Sequence, residues 1–268
     1  MTMSANHKAA LDKILNDQIK LFAFDLDGTL YVGEKAVPEA IELIAELRRN
    51  HQVVYFTNNS SKTITQLSKK LRELGFFCGS SDVYSAGAAT ADYLKESGLD
   101  NVYLIGSVGL RAEVEARGLR VCPAKTAHHV VVGLDLDFTY QKIADALAII
   151  NRGGKFIACN EDRNFPAGEG LILPGCGAMA GAITTAADKT PDFTVGKPNP
   201  YLLARIATEY GVKAEAIMVV GDSYDSDIAM ALSYRSKAIL VGQQAVFAPT
   251  VWSVENVGQI RRLLRKSQ

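Results

Sequence analysis

The stretch FDLDGTLYVG, residues 24–33, places two carboxylates directly behind an apolar run. Residues 21–24 have the composition of a buried strand, and Asp25 and Asp27 follow at the point where that strand ends. Burial disfavours an ionised carboxylate, so paired aspartates at this point indicate a function that needs them. Asp and Gly also favour turns, so the stretch alone could simply be a turn that ends the strand.

The composition is that of a soluble globular protein. The chain has 268 residues, of which 48% are hydrophobic and 22% charged, and its formal net charge is zero. This size accommodates one large domain or two modest ones. A chain with no net charge is not expected to have a broad positively charged surface that binds nucleic acid. Neither a signal peptide nor a membrane-spanning run is indicated, so we expect a cytoplasmic protein with no membrane partner.

The cysteines and the C-terminal basic cluster are predicted to have structural roles only. Four cysteines lie far apart without a C-x-x-C pair, which predicts reduced, mostly buried thiols and no zinc site. The basic cluster at 261–266 is predicted to be the solvated face of a C-terminal helix.

Short β-rich runs alternate with amphipathic segments along the chain, which predicts an α/β protein with largely parallel sheets. Asn199 and Pro200 are predicted to cap and begin a helix, which ends before Gly211. The predicted strands cover 20–24, 52–57, 101–105, 130–134, 155–159, 216–220 and 237–241, and the clearest helices cover 38–49, 63–74, 140–151 and 200–210.

The strands followed by carboxylates lie near the two ends of the chain, and the middle has an α/β pattern of its own. An inserted domain fits this arrangement, because its turn-rich edges fall at 78–81 and 190–192. We therefore predict a core formed by 1–81 and 183–268, with an inserted domain at 82–182.

Several polar stretches stand just past an apolar strand or at the start of a helix. In an open α/β sheet, ligands bind outside the carboxyl ends of the strands, so such stretches converge in space. Taken singly, each stretch has an explanation that requires no functional site: a turn, a helix cap, a surface lysine or a solvated loop. The stretches are 25–29, 57–60, 196–198 and 221–227.

Together these stretches indicate phosphate chemistry. Carboxylates held close together need a cation between them, and oxygen ligands without histidine or cysteine suit Mg²⁺. Lys197 and the donors of Thr57 and Asn58 suit the oxygens of a phosphate group. The residues therefore predict phosphate, magnesium and a carboxylate nucleophile.

The order of these motifs resembles the haloacid dehalogenase superfamily of phosphohydrolases. DLDGTLYVGEKAVPEA, FTNNSSKT, GKPNP and GDSYDSDI are similar to its NagD / p-nitrophenylphosphatase-like branch, subfamily IIA, over residues 19–241. The resemblance implies a Rossmann-like, doubly wound parallel-sheet core with an inserted α/β cap that selects the substrate.

The resemblance also implies roles for the acidic residues. Asp25 is expected to be the nucleophile that forms an aspartyl-phosphate. Asp27 is expected to protonate the leaving oxygen and then to activate water. The Asp25 carboxylate, the main-chain carbonyl of Asp27 and Asp222 are expected to hold Mg²⁺, and Asp227 to steady the water shell of the metal.

Further residues are expected to contact the substrate. The resemblance implies that Thr57 and Asn58 bind the transferring phosphoryl group, that Lys197 offsets its charge, and that Asn59 lies near the substrate. Asn160, Asp162 and Arg163 follow a predicted strand of the cap and are candidates for substrate contacts, with a surface salt bridge as the alternative for Arg163. The additional acid Asp225 is predicted to be solvated or to cap a helix.

The sequence thus predicts a Mg²⁺-dependent phosphomonoesterase acting on a small phosphorylated metabolite. Sugar phosphates, nucleoside monophosphates, phosphoglycolate and pyridoxal phosphate all remain open as substrates. A phosphomutase on the same core and a non-catalytic protein that binds a phosphate ligand are the alternatives. The sequence allows a homodimer but contains no patch that specifies one.

Overall fold

The computed structural model describes residues 18–166, 170–242 and 248–265, which form two units. Described residues of 18–57, Ser68–Tyr84 and 203–265 form the first unit. Asn58–Leu67 and Ser85–Leu202 form the second. Strands and helices alternate in both units, which confirms the α/β class. That the second unit acts as a substrate-selecting cap stays a prediction.

Parallel strands dominate both units. In the described part of the chain the strands are β1 (Leu21–Asp25), β2 (Tyr31–Val32), β3 (Lys35–Ala36), β4 (Gln52–Thr57), β5 (Val83–Ser85), β6 (Asn101–Ile105), β7 (Arg120–Val121), β8 (His129–Val132), β9 (Phe156–Ala158), β10 (Asn164–Pro166), β11 (Ile172–Pro174), β12 (Phe193–Thr194), β13 (Ile217–Gly221), β14 (Lys237–Val241) and β15 (Val251–Val254).

The helices alternate with these strands. They are α1 (Ala40–Leu47), α2 (Ile64–Glu73), α3 (Ala86–Glu96), α4 (Val108–Ala116), α5 (Tyr140–Asn151), α6 (Cys176–Ala187), α7 (Tyr201–Tyr210), α8 (Ala229–Ser233) and α9 (Val257–Arg265). Short 3₁₀ turns cover Ser80–Asp82 and Ala214–Ala216, and a π-helical turn covers Tyr224–Ile228. None of these helices has the length and apolarity that crossing a bilayer requires.

The first unit contains a six-stranded sheet in the order β15-β14-β13-β1-β4-β5. Strand β1 lies between β13 and β4 and is parallel to both. Its side chains are buried throughout, because the strand is covered on both faces. The chain extends from β1 to β4 on one side and returns through β13 on the other. Strand β1 is therefore the switch point of a doubly wound sheet, where ligands bind.

The second unit contains a five-stranded parallel sheet in the order β12-β9-β8-β6-β7. Three of its helices begin with a hydroxyl side chain that accepts a hydrogen bond from a main-chain N–H in the first turn. These N-caps are Ser85 for α3, Ser107 for α4 and Thr139 for α5. Such caps satisfy donors that have no partner inside the helix.

The predicted Asn199 cap and glycine ending of α7 are confirmed, but the helix begins at Tyr201 and not at the predicted Pro200. The Asn199 side chain accepts a hydrogen bond from the N–H of Tyr201 at 2.9 Å, as an N-cap does. At the other end Gly211 has a φ of +61°, and the N–H of Val212 donates to Ala207 O. This is the left-handed ending in which glycine is preferred.

The prediction of a solvated basic face at 261–266 is wrong for Arg261. Its side chain is 16% exposed, and its guanidinium pairs with Glu46 on α1 at 3.0 Å. The neighbouring Arg262 pairs with Glu39 at 3.0 Å. Leu263 and Leu264 are buried on α9. The apolar face of this helix therefore packs inward and brings Arg261 against acidic side chains of the same unit.

The cysteine thiols are free, and three of them are buried as predicted. Cys78, Cys159 and Cys176 are buried, whereas Cys122 is half-exposed. Burial raises the pKa of the Cys176 thiol to about 12, so this thiol is protonated near neutral pH.

Asp192, just before β12, ties together three donors of the second unit. Its carboxylate accepts hydrogen bonds from the Phe156 N–H at 2.8 Å, from Lys189 Nζ at 2.8 Å and from Lys155 Nζ at 3.1 Å. Burial acts to raise the pKa of Asp192, but these donors outweigh it and lower the pKa to about 2. The ionised carboxylate therefore stabilises the fold.

We expect Asp192→Asn to destabilise the protein in a pH-dependent way. The folded pKa lies below the ordinary value of 3.8, so the stabilisation is present above about pH 4 and is lost as pH falls through about 2. Near neutral pH the variant should lose about 1–2 kcal/mol of unfolding free energy. Urea denaturation between pH 2 and 7 measures this difference. Asp188→Asn, which changes an exposed carboxylate, is the control. A difference that stays constant with pH would contradict the assignment.

Candidate active site

Three carboxylates of the first unit converge at the carboxyl edge of its sheet. Asp25 is the last residue of β1 and is 5% exposed, and Asp222 follows β13 directly. Each of Asp25, Asp222 and Asp227 offers a carboxylate oxygen, and these oxygens all lie within 4.8 Å of one another. Like charges at this separation repel, so the arrangement favours a cation among them.

Gly28 leaves the space that Asp222 occupies. A Cβ atom at Gly28 would lie 2.2 Å from Asp222 Oδ2, and its φ of +89° is in the left-handed region that favours glycine. Thr29 Oγ1 lies 3.5 Å from Asp222 Oδ1. The main-chain N–H groups of Thr29 and Leu30 donate to Leu26 O and so tighten the turn after Asp25. Close approach of this turn to Asp222 therefore requires glycine.

Asp227 is held beneath the end of β13 by a π-helical turn. The N–H groups of Asp227 and Ile228 both donate to Ser223 O. The Asp227 carboxylate is wholly buried and accepts a hydrogen bond from the Ser223 N–H at 3.0 Å. Turns of this kind occur frequently at functional sites. Asp225 is exposed in the same turn, which agrees with its predicted solvation.

Asp27 is exposed, as Asp222 is, and so differs from the two buried aspartates of this group. The Tyr31 hydroxyl donates a hydrogen bond to Asp27 Oδ2 at 3.1 Å. Burial, followed by the negative charge of Asp27, raises the pKa of Tyr31 well above its ordinary value, so the hydroxyl stays protonated. Tyr31 could not be identified from the sequence, since a tyrosine four residues after an aspartate carries no signal of this contact.

Thr57 lies next to the acidic residues through strand pairing. It is the last residue of β4 and is 4% exposed, and the preceding Phe56 is paired with Asp25. The first unit thus brings together one hydroxyl donor and the predicted acidic residues of the site. These residues are Asp25, Asp27, Thr57, Asp222 and Asp227.

The second unit brings Asn58 and Lys197 together. Asn58 Nδ2 donates to Lys197 O at 3.2 Å, and Asn58 Oδ1 accepts from the Lys197 N–H at 2.8 Å. One amide side chain therefore binds both main-chain groups of the lysine. A Cβ atom at the preceding Gly196 would lie 2.6 Å from Asn58 Oδ1, so the close contact requires glycine there.

Asn160 and Asp162 belong to the same hydrogen-bond network. Asn160 Nδ2 donates to Asn58 O at 2.6 Å, and Asn160 Oδ1 accepts from the Asp162 N–H at 3.0 Å. Asp162 Oδ1 accepts from Asn58 Nδ2 at 2.9 Å. We call Asn58, Asn160, Asp162 and Lys197 the asparagine network. Because its groups are largely buried, each bond is worth more than it would be at the surface.

Asn59 and Arg163 lie beside this network. Asn59 Oδ1 accepts hydrogen bonds from the N–H groups of Ser61 and Lys62, both at 2.9 Å, and this contact shapes the turn before α2. Arg163 is exposed, and its guanidinium forms no ion pair with a described residue.

Comparison with known proteins identifies relatives of this chain. Residues 22–120 match the family described as haloacid dehalogenase-like hydrolase, and 194–246 match the one described as HAD-hydrolase-like. An acid sugar phosphatase from Staphylococcus epidermidis is 36% identical over 77% of this chain and 80% of that protein.

Solved structures agree with these matches. The 4-nitrophenylphosphatase from Thermotoga maritima is 31% identical, with a TM-score of 0.85 over 95% of this chain and 98% of that one. NagD from Escherichia coli K-12 is 27% identical, with a TM-score of 0.80 over 88% of this chain and 96% of that one.

We expect Gly28→Ala to weaken cation binding by about tenfold or more, because the new methyl group displaces the Asp222 carboxylate. Gly33→Ala is the matched control. Its φ of +59° imposes the same kind of strain, but no atom lies within 4 Å of its added Cβ. Both variants should lose about 1 kcal/mol of unfolding free energy. Calorimetric titration with Mg²⁺ should separate them, and equal affinities would contradict the role given to Gly28.

Proposed function

The chain belongs to the haloacid dehalogenase-like hydrolase family and is a phosphatase, and we propose that it hydrolyses small phosphorylated metabolites, in particular sugar phosphates, through an aspartyl-phosphate on Asp25. The observation that carries the proposal is the convergence of Asp25, Asp222 and Asp227, with the exposed Asp27 two residues after Asp25 in the chain. Relatives named acid sugar phosphatase and 4-nitrophenylphosphatase support the substrate class.

The residues of this site fit Mg²⁺. The carboxylate oxygens within 4.8 Å of one another are hard ligands, and no histidine or cysteine belongs to this group. We propose that the Asp25 and Asp222 carboxylates and the main-chain carbonyl of Asp27 hold the ion, with Asp227 steadying its water ligands. When bound, Mg²⁺ offsets the negative charge that the phosphate brings to these carboxylates.

In the first step a carboxylate oxygen of Asp25 attacks phosphorus. The bond from phosphorus to the ester oxygen breaks, and its electron pair leaves with that oxygen. Asp27, which enters this step protonated, passes its proton to the leaving oxygen. The products are the free alcohol and an aspartyl-phosphate on Asp25.

In the second step water releases the phosphate. The Asp27 carboxylate, which is now ionised, takes a proton from water as the water oxygen attacks phosphorus. The bond from phosphorus to Asp25 breaks, which regenerates the Asp25 carboxylate and the protonated Asp27. The exposed position of Asp27 supports this role, since it must exchange protons with groups that enter from solvent.

The transferring phosphoryl group needs donors around its oxygens. We propose that the Thr57 hydroxyl, the Asn58 main-chain N–H and the Lys197 ammonium supply them, with Asn59 near the substrate. The main-chain group of Asn58 is proposed because both of its side-chain N–H groups already donate to Asp162 and Lys197.

The asparagine network supports a positioning role for two candidates. The Asn160 and Asp162 side chains bind Asn58, so we propose that they keep Lys197 in place and do not read the organic part of the substrate. Arg163, whose side chain is exposed, remains the candidate for an anionic group of the substrate.

The proposed function also implies a partner and a location in the cell. We propose a small phosphorylated metabolite as the partner and a cytoplasmic location, with neither nucleic acid nor membrane involved. A homodimer stays an expectation.

The function is tested by phosphate release from a panel of phosphomonoesters, including glucose 6-phosphate and 4-nitrophenyl phosphate. We expect turnover with Mg²⁺ and its loss in EDTA. Asp25→Asn should abolish turnover, because an amide cannot form the aspartyl-phosphate. Asp225→Asn, which makes the same change at an exposed site, should leave turnover unchanged.

Two results would contradict the proposal. Full activity of Asp25→Asn would exclude the covalent step. A folded wild-type protein that binds Mg²⁺ and hydrolyses none of the esters would favour a mutase or a binding protein.

Asn160→Ala tests positioning against substrate reading. Loss of its hydrogen bond to Asn58 should loosen Lys197 and lower kcat/KM by about tenfold. Because the phosphate group is common to all the esters, the loss should be similar across the panel. Asn164→Ala, at an exposed asparagine on β10, is the control. A loss confined to one class of ester would show that Asn160 reads the organic group instead.

A further inference from the structure

We propose that Tyr31 is a positioning residue for the reaction, because its hydroxyl holds the Asp27 carboxyl in the orientation from which a proton passes to the leaving oxygen. This inference rests on the proposed function. It adds a residue outside the carboxylates and phosphate donors, and it assigns that residue to one proton transfer.

The turn after β1 brings Tyr31 back beside Asp27. The Gly28 N–H donates to Tyr31 O at 2.9 Å, and the Tyr31 N–H donates to Leu26 O at 3.3 Å. The Tyr31 hydroxyl then reaches Asp27 Oδ2 at 3.1 Å. The tyrosine is 2% exposed, whereas the aspartate is exposed. The buried tyrosine therefore fixes the exposed carboxylate.

The Tyr31 ring is itself held from a second element. Lys70 on α2 places its Nζ atom 4.2 Å from the centre of the ring, within the range of a cation–π interaction. The same Nζ atom lies 3.3 Å from Glu34 Oε1, in the turn between β2 and β3. Packing in the core and a cation over its face thus fix the ring before substrate binds.

A hydrogen bond to one oxygen of Asp27 defines the task of the other. Oδ2 accepts from Tyr31, which leaves Oδ1 to carry the proton toward the substrate. Acid–base catalysis depends on such placement, because the proton must lie within hydrogen-bond reach of the leaving oxygen. An exposed aspartate without this bond would spread over several rotamers and lose that advantage.

This role predicts a dependence on the leaving group. An alkoxide needs a proton as it departs, so a sugar phosphate depends strongly on Asp27. A 4-nitrophenolate is a stable anion and depends on it much less. A residue that only stabilises the fold would affect both esters alike.

The test compares Tyr31→Phe with Tyr55→Phe. Tyr55 is also buried in the first unit, and its hydroxyl donates to Phe77 O at 3.0 Å. We expect Tyr31→Phe to lower kcat for glucose 6-phosphate about tenfold, and for 4-nitrophenyl phosphate less than about threefold. KM should be unchanged for both esters. The ratio of the two kcat values should not move in Tyr55→Phe.

A double-mutant cycle with Asp27→Asn completes the test. If Tyr31 acts through Asp27, Tyr31→Phe should have no further effect on kcat once the acid is gone. Additive effects would overturn the proposal, and so would equal losses on the two esters. If the wild type hydrolyses the esters and Tyr31→Phe leaves the ratio of the two kcat values unchanged, this inference alone is overturned. Absence of wild-type hydrolysis on either ester would instead overturn the proposed function.

Discussion

Mutual repulsion among three carboxylates is the constraint on which the structure of the first unit depends. Asp227 is wholly buried and Asp25 nearly so, yet an oxygen from each lies within 4.8 Å of one from Asp222. The folded chain holds these charges in place through parallel strands, whose ends meet at one edge, and through glycines that let neighbours approach. A Cβ atom at Gly221 would lie 2.3 Å from Asp227 Oδ2, which repeats the requirement found at Gly28.

Much of this arrangement can be predicted from the sequence because it depends on local patterns. Apolar runs followed by aspartates predict strand ends, and the strand ends of a parallel sheet share an edge. The end of β1 and the end of β13 meet in this way, although their aspartates are almost 200 residues apart in the chain. The ends of α7 were also predictable, since Asn199 and Gly211 act on main-chain groups close to themselves.

Contacts that depend on side-chain packing could not be predicted. The positions of Asn160 and Asp162 after a strand predict contact with substrate, but their side chains bind Asn58, about 100 residues earlier. Arg261 appeared to belong to a solvated face, and its pairing with Glu46 depends on which face of α9 turns inward. Such contacts follow from the tertiary arrangement and leave no periodic trace in the sequence.

The unequal burial of the cysteines has a practical consequence. Cys78, Cys159 and Cys176 are buried, and Cys122, which follows β7, is half-exposed. A maleimide dye added to the folded protein should therefore attach mainly at Cys122 without any engineered substitution. The native chain thus offers a near-unique anchor for a fluorophore on its second unit. Through this anchor, fluorescence can follow that unit during turnover while the carboxylates of the first unit stay unmodified.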